Sequence, residues 1–165
     1  MQGMENMHLL TELAAFIPRD RVAWLWQQTP LTQTGVAMIA DISGFTPLTE
    51  ALTQGLRSGE GAESLTEALG QVFTPLIETI HQYQGSVLKF GGDALIVWFG
   101  ERTTPQATLS QAITCALTMQ QQMEQVGLVE TPIGSVILKM KIGLAYGGVK
   151  RLVLGTEAVG FEDVV

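Results

Sequence analysis

The chain holds 165 residues, 46% hydrophobic and 15% charged, with a formal net charge of -7. That length supports one substantial core and leaves no room for a second ordinary domain. The acidic balance and the scattered Lys and Arg residues exclude a nucleic-acid surface, and the longest apolar run, Ala94 to Phe99, is far too short for a membrane helix.

The lone Cys115 excludes an internal disulfide framework and fits a reducing, cytoplasmic setting. Residues 1–33 read as a helical leader. Leu9, Leu13 and Phe16 share a helical face, Pro18 interrupts it, and Val22, Leu25 and Trp26 form a second apolar patch. Such a face needs a cover, either the domain formed by residues 34–165 or a second chain.

Val36 to Ile42 reads as a central strand, buried on both faces except where Asp41 ends it. Ser43-Gly44 permits close backbone approach, and Thr46-Pro47 has the pattern of an N-cap followed by proline at the first helical position. A helix N-terminus there suits phosphate oxygens without a basic side chain. After a polar connection from Thr53 to Gly61, the stripe Leu65, Leu69, Val72, Leu76, Ile80 and Tyr83 predicts a long helix, kinked at Pro75 and stopped at Gly85. His81 sits near its end and His8 has no sequence partner, so no histidine metal centre is expected.

Ser86 to Phe90 and Ala94 to Phe99 read as two strands joined by Gly91-Gly92-Asp93, a hairpin that presents Asp93 at its tip. Leu109, Ala112, Ala116, Met119, Met123 and Val126 mark a further amphipathic helix. Ile133 to Tyr146 alternates partly as a strand, with Lys139 and Lys141 on one face. Gly147-Gly148 is expected to turn the chain into a last strand, Val149 to Leu154.

This order predicts an α+β fold, a ferredoxin-like, antiparallel-rich sheet with helices on one face. If the first strand and the hairpin are neighbours, Asp41 and Asp93 meet. Two adjacent carboxylates repel, so they favour a divalent cation, and oxygen-only ligation points to Mg²⁺ or Mn²⁺ rather than zinc. Two such ions would serve phosphoryl transfer by positioning and electrostatics.

Three segments carry a resemblance: Asp41-Ile-Ser-Gly-Phe-Thr46, Lys89-Phe-Gly-Gly-Asp93 and Lys141-Ile-Gly-Leu-Ala-Tyr-Gly-Gly148. In this order they are similar to successive motifs of the class III adenylate and guanylate cyclase catalytic domain, over roughly residues 34–165. The likeness extends to the bicarbonate-responsive soluble adenylyl cyclase type and its bacterial relatives, whose leader resembles Ala14-Ala-Phe-Ile-Pro-Arg19.

The resemblance implies that Asp41 and Asp93 hold two Mg²⁺ (or Mn²⁺) ions with the Ile42 carbonyl, and that backbone amides of Gly44, Phe45 and Thr46 hold the triphosphate. Lys89 falls where adenylyl cyclases read adenine, which makes ATP the expected substrate and 3′,5′-cyclic AMP the product. Asp163 falls near a second purine contact. The partners implied are ATP, a second cyclase domain as homodimer or tandem pair, and bicarbonate; no nucleic acid is expected.

The family's transition-state asparagine and arginine are not present before Val165, so the isolated fragment is expected to be inactive. Three rival readings are a GTP-using cyclase, a non-catalytic cyclase-like regulatory or dimerisation module, and a diguanylate cyclase. The last also uses a Gly-Gly-Asp hairpin, but acidic residues normally follow where Ala94-Leu95 stands here.

Overall fold

Alternation along one strand decides the architecture. From Thr32 to Ser43, Val36, Met38, Ala40 and Ile42 are fully buried, while Ile39 between them is 52% exposed. A strand with this pattern has a core on one face only.

The computed structural model describes residues 18–22, 32–55, 59–150, 152–156 and 160–164, with the backbone alone for Arg21, Val22 and beyond residue 150. In chain order the elements are α1 (Arg19–Val22), β1 (Thr32–Ser43), α2 (Phe45–Gly55), α3 (Glu60–Gln82), β2 (Ser86–Gly91), β3 (Ala94–Gly100) and α4 (Pro105–Val126). There follow β4 (Leu128–Thr131), β5 (Gly134–Ile137), β6 (Lys139–Lys150), β7 (Leu152–Thr156) and β8 (Gly160–Val164).

The main sheet has the order β2-β3-β1-β6, and every neighbouring pair is antiparallel. On its buried face, Val36, Met38 and Ile42 of β1 and Leu95, Val97 and Phe99 of β3 join one core with Leu48 and Leu52 of α2, Val72, Leu76 and Ile80 of α3, and Cys115 and Met119 of α4. The helices therefore cover one face, as the element order predicts. Buried polar side chains on them find partners: Thr79 Oγ1 donates to Gln122 Oε1 at 2.8 Å, tying α3 to α4.

Several expectations need correction. β1 is not buried on both faces, because no described helix lies over its other side. Thr46 is not the N-cap: the Leu48 N-H donates to the Gly44 carbonyl at 3.1 Å, so α2 already begins at Phe45 and Pro47 sits within its first turn. Gly147-Gly148 is strand rather than turn, paired with Gly35 and Thr34, so β6 runs on to Lys150 and the last strand expected is split between β6 and β7.

The strand expected from Ile133 is in fact two, broken at Leu138. The first closes a hairpin on β4 through Pro132-Ile133, where Gly134 takes φ 126°. Of the leader, Pro18 to Val22 is described; Leu9, Leu13, Phe16, Leu25 and Trp26 lie outside the described residues. α1 is fastened to β2: the Asp20 N-H donates to Ser86 Oγ (3.2 Å) and the Ser86 hydroxyl donates to Asp20 Oδ1 (2.8 Å). Among the described residues no helix is long and apolar enough to cross a membrane.

Two consequences can be measured. Burial pushes the Cys115 thiol up to about 12, so almost no thiolate exists near neutral pH; a disulfide reagent should leave the native protein unmodified and titrate one thiol after denaturation. His81, at the end of α3, is held below its ordinary 6.5 by burial and then by the Arg19 guanidinium. The unfolded chain therefore binds more protons than the folded one as pH falls through about 6.5. Stability should decline on acidification through that range, and His81→Gln should flatten the slope in denaturant titrations.

Candidate active site

The antiparallel ladder between β1 and β3 brings the two aspartates together. Asp41 pairs with Ala94, and the next rung is a hydrogen bond from the Ile42 N-H to the Asp93 carbonyl at 3.1 Å. Asp41, near the end of β1, and Asp93, in the turn before β3, are thus one step apart diagonally. Gly91 pairs with Ala94, which leaves Gly92 and Asp93 as a two-residue loop; Gly92 takes φ 69°, and Asp93 follows with an ordinary negative φ.

Burial assigns the face. Because Ala40 and Ile42 point into the core, the half-buried Asp41 between them stands on the open face. Directly opposite it on β6 is Lys141, which is exposed. One cross-strand row therefore reads Gly91, Ala94, Asp41, Lys141, and the next reads Lys89, Ile96, Ile39, Gly143. Lys89 is exposed on the same face, two strands from Asp41.

A cavity of about 380 Å³ adjoins the hairpin tip, lined by Phe45, Thr46, Thr49, Glu50, Leu65, Leu69, Gly92 and Asp93. Aromatic packing holds its walls: Phe45 stacks on Phe73 (5.7 Å), and Phe73 meets Phe90 of β2 edge to face (5.7 Å). Gly44 enters α2 at φ 108°, a conformation that few other residues adopt. The Ile42 side chain is fully buried, so only its backbone can face a ligand.

Of the residues singled out in the sequence, Phe45, Thr46 and Asp93 line this cavity, Asp41, Ile42 and Gly44 adjoin it along the chain, and Lys89 shares the open face with Asp41. Asp163 stands apart in β8, opposite Val153 in a separate two-stranded sheet. Sequence reasoning passed over Glu50 and Thr49 in the cavity wall, and it gave Lys141, a strand lysine at the head of the third resembling segment, no role in the site. The pairing register alone sets Lys141 opposite Asp41.

Among the described residues no three His, Cys, Asp or Glu side chains cluster into a metal cage. Two carboxylates from a strand end and a tight turn, with backbone carbonyls and ligand oxygens to complete the shell, make a donor set that suits a hard cation.

The chain is similar to known proteins over most of its length. The family model described as the adenylate and guanylate cyclase catalytic domain matches residues 29–162. Adenylate cyclase type 10 of Rattus norvegicus is 36% identical over 132 residues, which cover 79% of this chain and 8% of that protein; the chain thus spans a small part of the curated relatives it matches.

Among solved structures, the guanylyl cyclase Cya2 superposes with a TM-score of 0.62 at 26% identity, covering 81% of this chain and 64% of that one. A bacterial light-regulated adenylyl cyclase superposes with a TM-score of 0.68 at 18% identity, covering 99% and 46%, a likeness of fold.

The hairpin tip offers a direct check. Gly92→Val forces a β-branched residue to φ 69° and should destabilise the protein by about 1–3 kcal/mol. Gly91→Ala, whose added Cβ meets nothing nearer than 4.0 Å, should leave the thermal midpoint almost unchanged.

Proposed function

The chain belongs to the class III adenylate and guanylate cyclase catalytic domain family, and from that premise we propose that it forms part of a dimeric site that converts ATP to 3′,5′-cyclic AMP and pyrophosphate. The observation that supports this reading is the backbone hydrogen bond from Ile42 to the Asp93 carbonyl, which makes Asp41 and Asp93 neighbours along the β1–β3 ladder, with Asp93 in the wall of a cavity.

Asp41 and Asp93, with the Ile42 carbonyl, would hold Mg²⁺ or Mn²⁺. Bound there, such ions would supply Lewis acidity to acidify the ribose 3′-hydroxyl and neutralise the triphosphate. The chain's own groups do the positioning. Backbone N-H groups of Gly44, Phe45 and Thr46, at the N-terminal end of α2, offer donors and a positive dipole end to phosphate oxygens. Lys141, opposite Asp41, adds a cation on the same row.

With the nucleotide so held, the 3′-oxygen attacks the α-phosphorus, its proton leaves to water or a phosphate oxygen, and the bond to pyrophosphate breaks. Lys89 is a donor only, so it pairs with ring acceptors of adenine and cannot reproduce an acidic residue's pairing with guanine. Asp163 is proposed as a second purine contact.

The open face of the sheet supplies the reason for a partner. Ile39, in the middle of a central strand, is 52% exposed, and a second cyclase domain packed there would cover it. In that arrangement one domain contributes carboxylates and its partner contributes base recognition. A cytoplasmic setting fits a chain whose nucleotide substrate and single buried cysteine belong to a reducing compartment. The retained pair of repelling carboxylates favours chemistry over a purely structural module.

Cyclic AMP synthesis by the full-length protein with Mg²⁺ or Mn²⁺ is the test. Asp41→Ala and Asp93→Ala should each lower turnover at least about a hundredfold, with unchanged thermal midpoints in metal-free buffer. Equal product from the wild type and both variants would end the cyclase reading.

A further inference from the structure

At the far end of β2 and β3 from the Gly92-Asp93 turn, where Ser86 pairs with Trp98, the chain gathers basic side chains that the cyclase reading does not use. Three stretches converge there. Helix α1 brings Arg19 and Asp20, the end of α3 brings His81, and the segment after β3 brings Arg102.

These basic groups are poorly supplied with acceptors. Arg102 Nη1 donates to Gln84 Oε1 at 2.8 Å, a bond that uses one of the several donors of its guanidinium. Among the described residues no hydrogen bond or ion pair engages the Arg19 guanidinium or the His81 ring. Two carboxylates stand nearby. Asp20 Oδ1 accepts from the Ser86 hydroxyl at 2.8 Å and so fastens α1 to β2, while the exposed Glu78 makes no ion pair with Arg19 or His81. Burial and then the Arg19 guanidinium hold His81 below its ordinary 6.5, so near neutral pH the ring is uncharged and offers one N-H donor.

Two cavities meet at this point. One, of about 200 Å³, has Arg19, His81 and Arg102 in its wall; the other, of about 310 Å³, shares Arg19 and His81 and adds Glu78 and Gln82. The first is cationic and has room for a small oxyanion. The second is less positive, because Glu78 offsets Arg19, and it suits an uncharged group attached to that anion.

We propose that Arg19, Arg102 and His81 form a binding site for a phosphoryl group, with its oxygens in the smaller cavity and the organic remainder of a phosphate monoester in the larger. Guanidinium forks match phosphate oxygens, and the neutral imidazole adds a further donor. Glu78 would repel a second phosphate, so the class is a monophosphate rather than a nucleoside triphosphate. The site is independent of the cyclase reading, since it lies at the opposite end of the strands from Asp93 and needs no metal.

Calorimetric titration of the full-length protein in metal-free buffer, at an ionic strength fixed with sodium chloride, tests it with inorganic phosphate, phenyl phosphate and inorganic tripolyphosphate. Arg19→Gln and Arg102→Gln should each weaken phosphate and phenyl phosphate by about tenfold or more, as loss of a charge-assisted hydrogen bond implies. Asp93→Ala should bind both as the wild type does. Arg19→Lys and Arg102→Lys, which keep the charge and lose the fork, should fall between the wild type and the Gln variants, and thermal midpoints without ligand check that each variant is folded.

Tighter binding of phenyl phosphate than of phosphate would support a monoester as the ligand, and equal binding would support free phosphate. Absence of binding by both, or undiminished binding in the folded Arg→Gln variants, would overturn the site. A loss of tripolyphosphate affinity in those variants as large as the loss for phosphate would overturn the restriction to monophosphates.

Discussion

Strand β3 is the ruler from which the rest of the site is measured. Its pairing with β1 sets Asp41 against Ala94, and its pairing with β2 sets Lys89 against Ile96. Because side chains alternate with a period of two, a slip of one residue in either ladder would carry Asp41 or Lys89 to the helix side of the sheet. Leu95, Val97 and Phe99, all buried, prevent that slip: moving them to the open face would expose three large side chains at once. Site geometry and core packing are therefore one constraint.

The hairpin tip obeys the same logic from the other end. Phe90 reaches inward to Phe73, and Phe73 stacks on Phe45 at the start of α2. Through that aromatic chain the turn carrying Asp93 and the helix start carrying Thr46 are held against common furniture, and the cavity between them keeps its shape. A register shift between Val87 and Lys89 lets Val87 and Phe90 of β2 both lie on the helix side of the sheet.

Much of this was legible in the sequence because the relevant signals are local. The apolar run before Asp41, the Gly-Gly-Asp turn and the helical stripe from Leu65 to Tyr83 each announce themselves within a few residues, and the observed β1, hairpin and α3 coincide with them. What escaped depends on partners distant in sequence. Burial of β1 on one face only cannot be inferred from Val36 to Ile42, whose composition suits either case, until the helices are known to lie on a single side. Gly147 and Gly148 look like a turn, yet pairing with Gly35 and Thr34 draws them into a strand. The place of Lys141 opposite Asp41 comes from register, and the register shift between Val87 and Lys89 appears only when β2 is laid against β3.

The open face carries two kinds of surface in neighbouring rows, one with Asp41 and Lys141, the other with Lys89, Ile96 and Ile39. A lone antiparallel sheet normally turns polar side chains to water; here the centre of the row is apolar and its flanks are charged. That distribution suits a surface used by apposition. If a second copy packs on it by a two-fold axis, the contact is isologous, so every row is offered twice in opposite directions. The carboxylate row of one chain can then face the apolar row of the other, which creates two equivalent sites from one kind of surface. A tandem partner that has lost one row would leave a single complete site and a vacant second one.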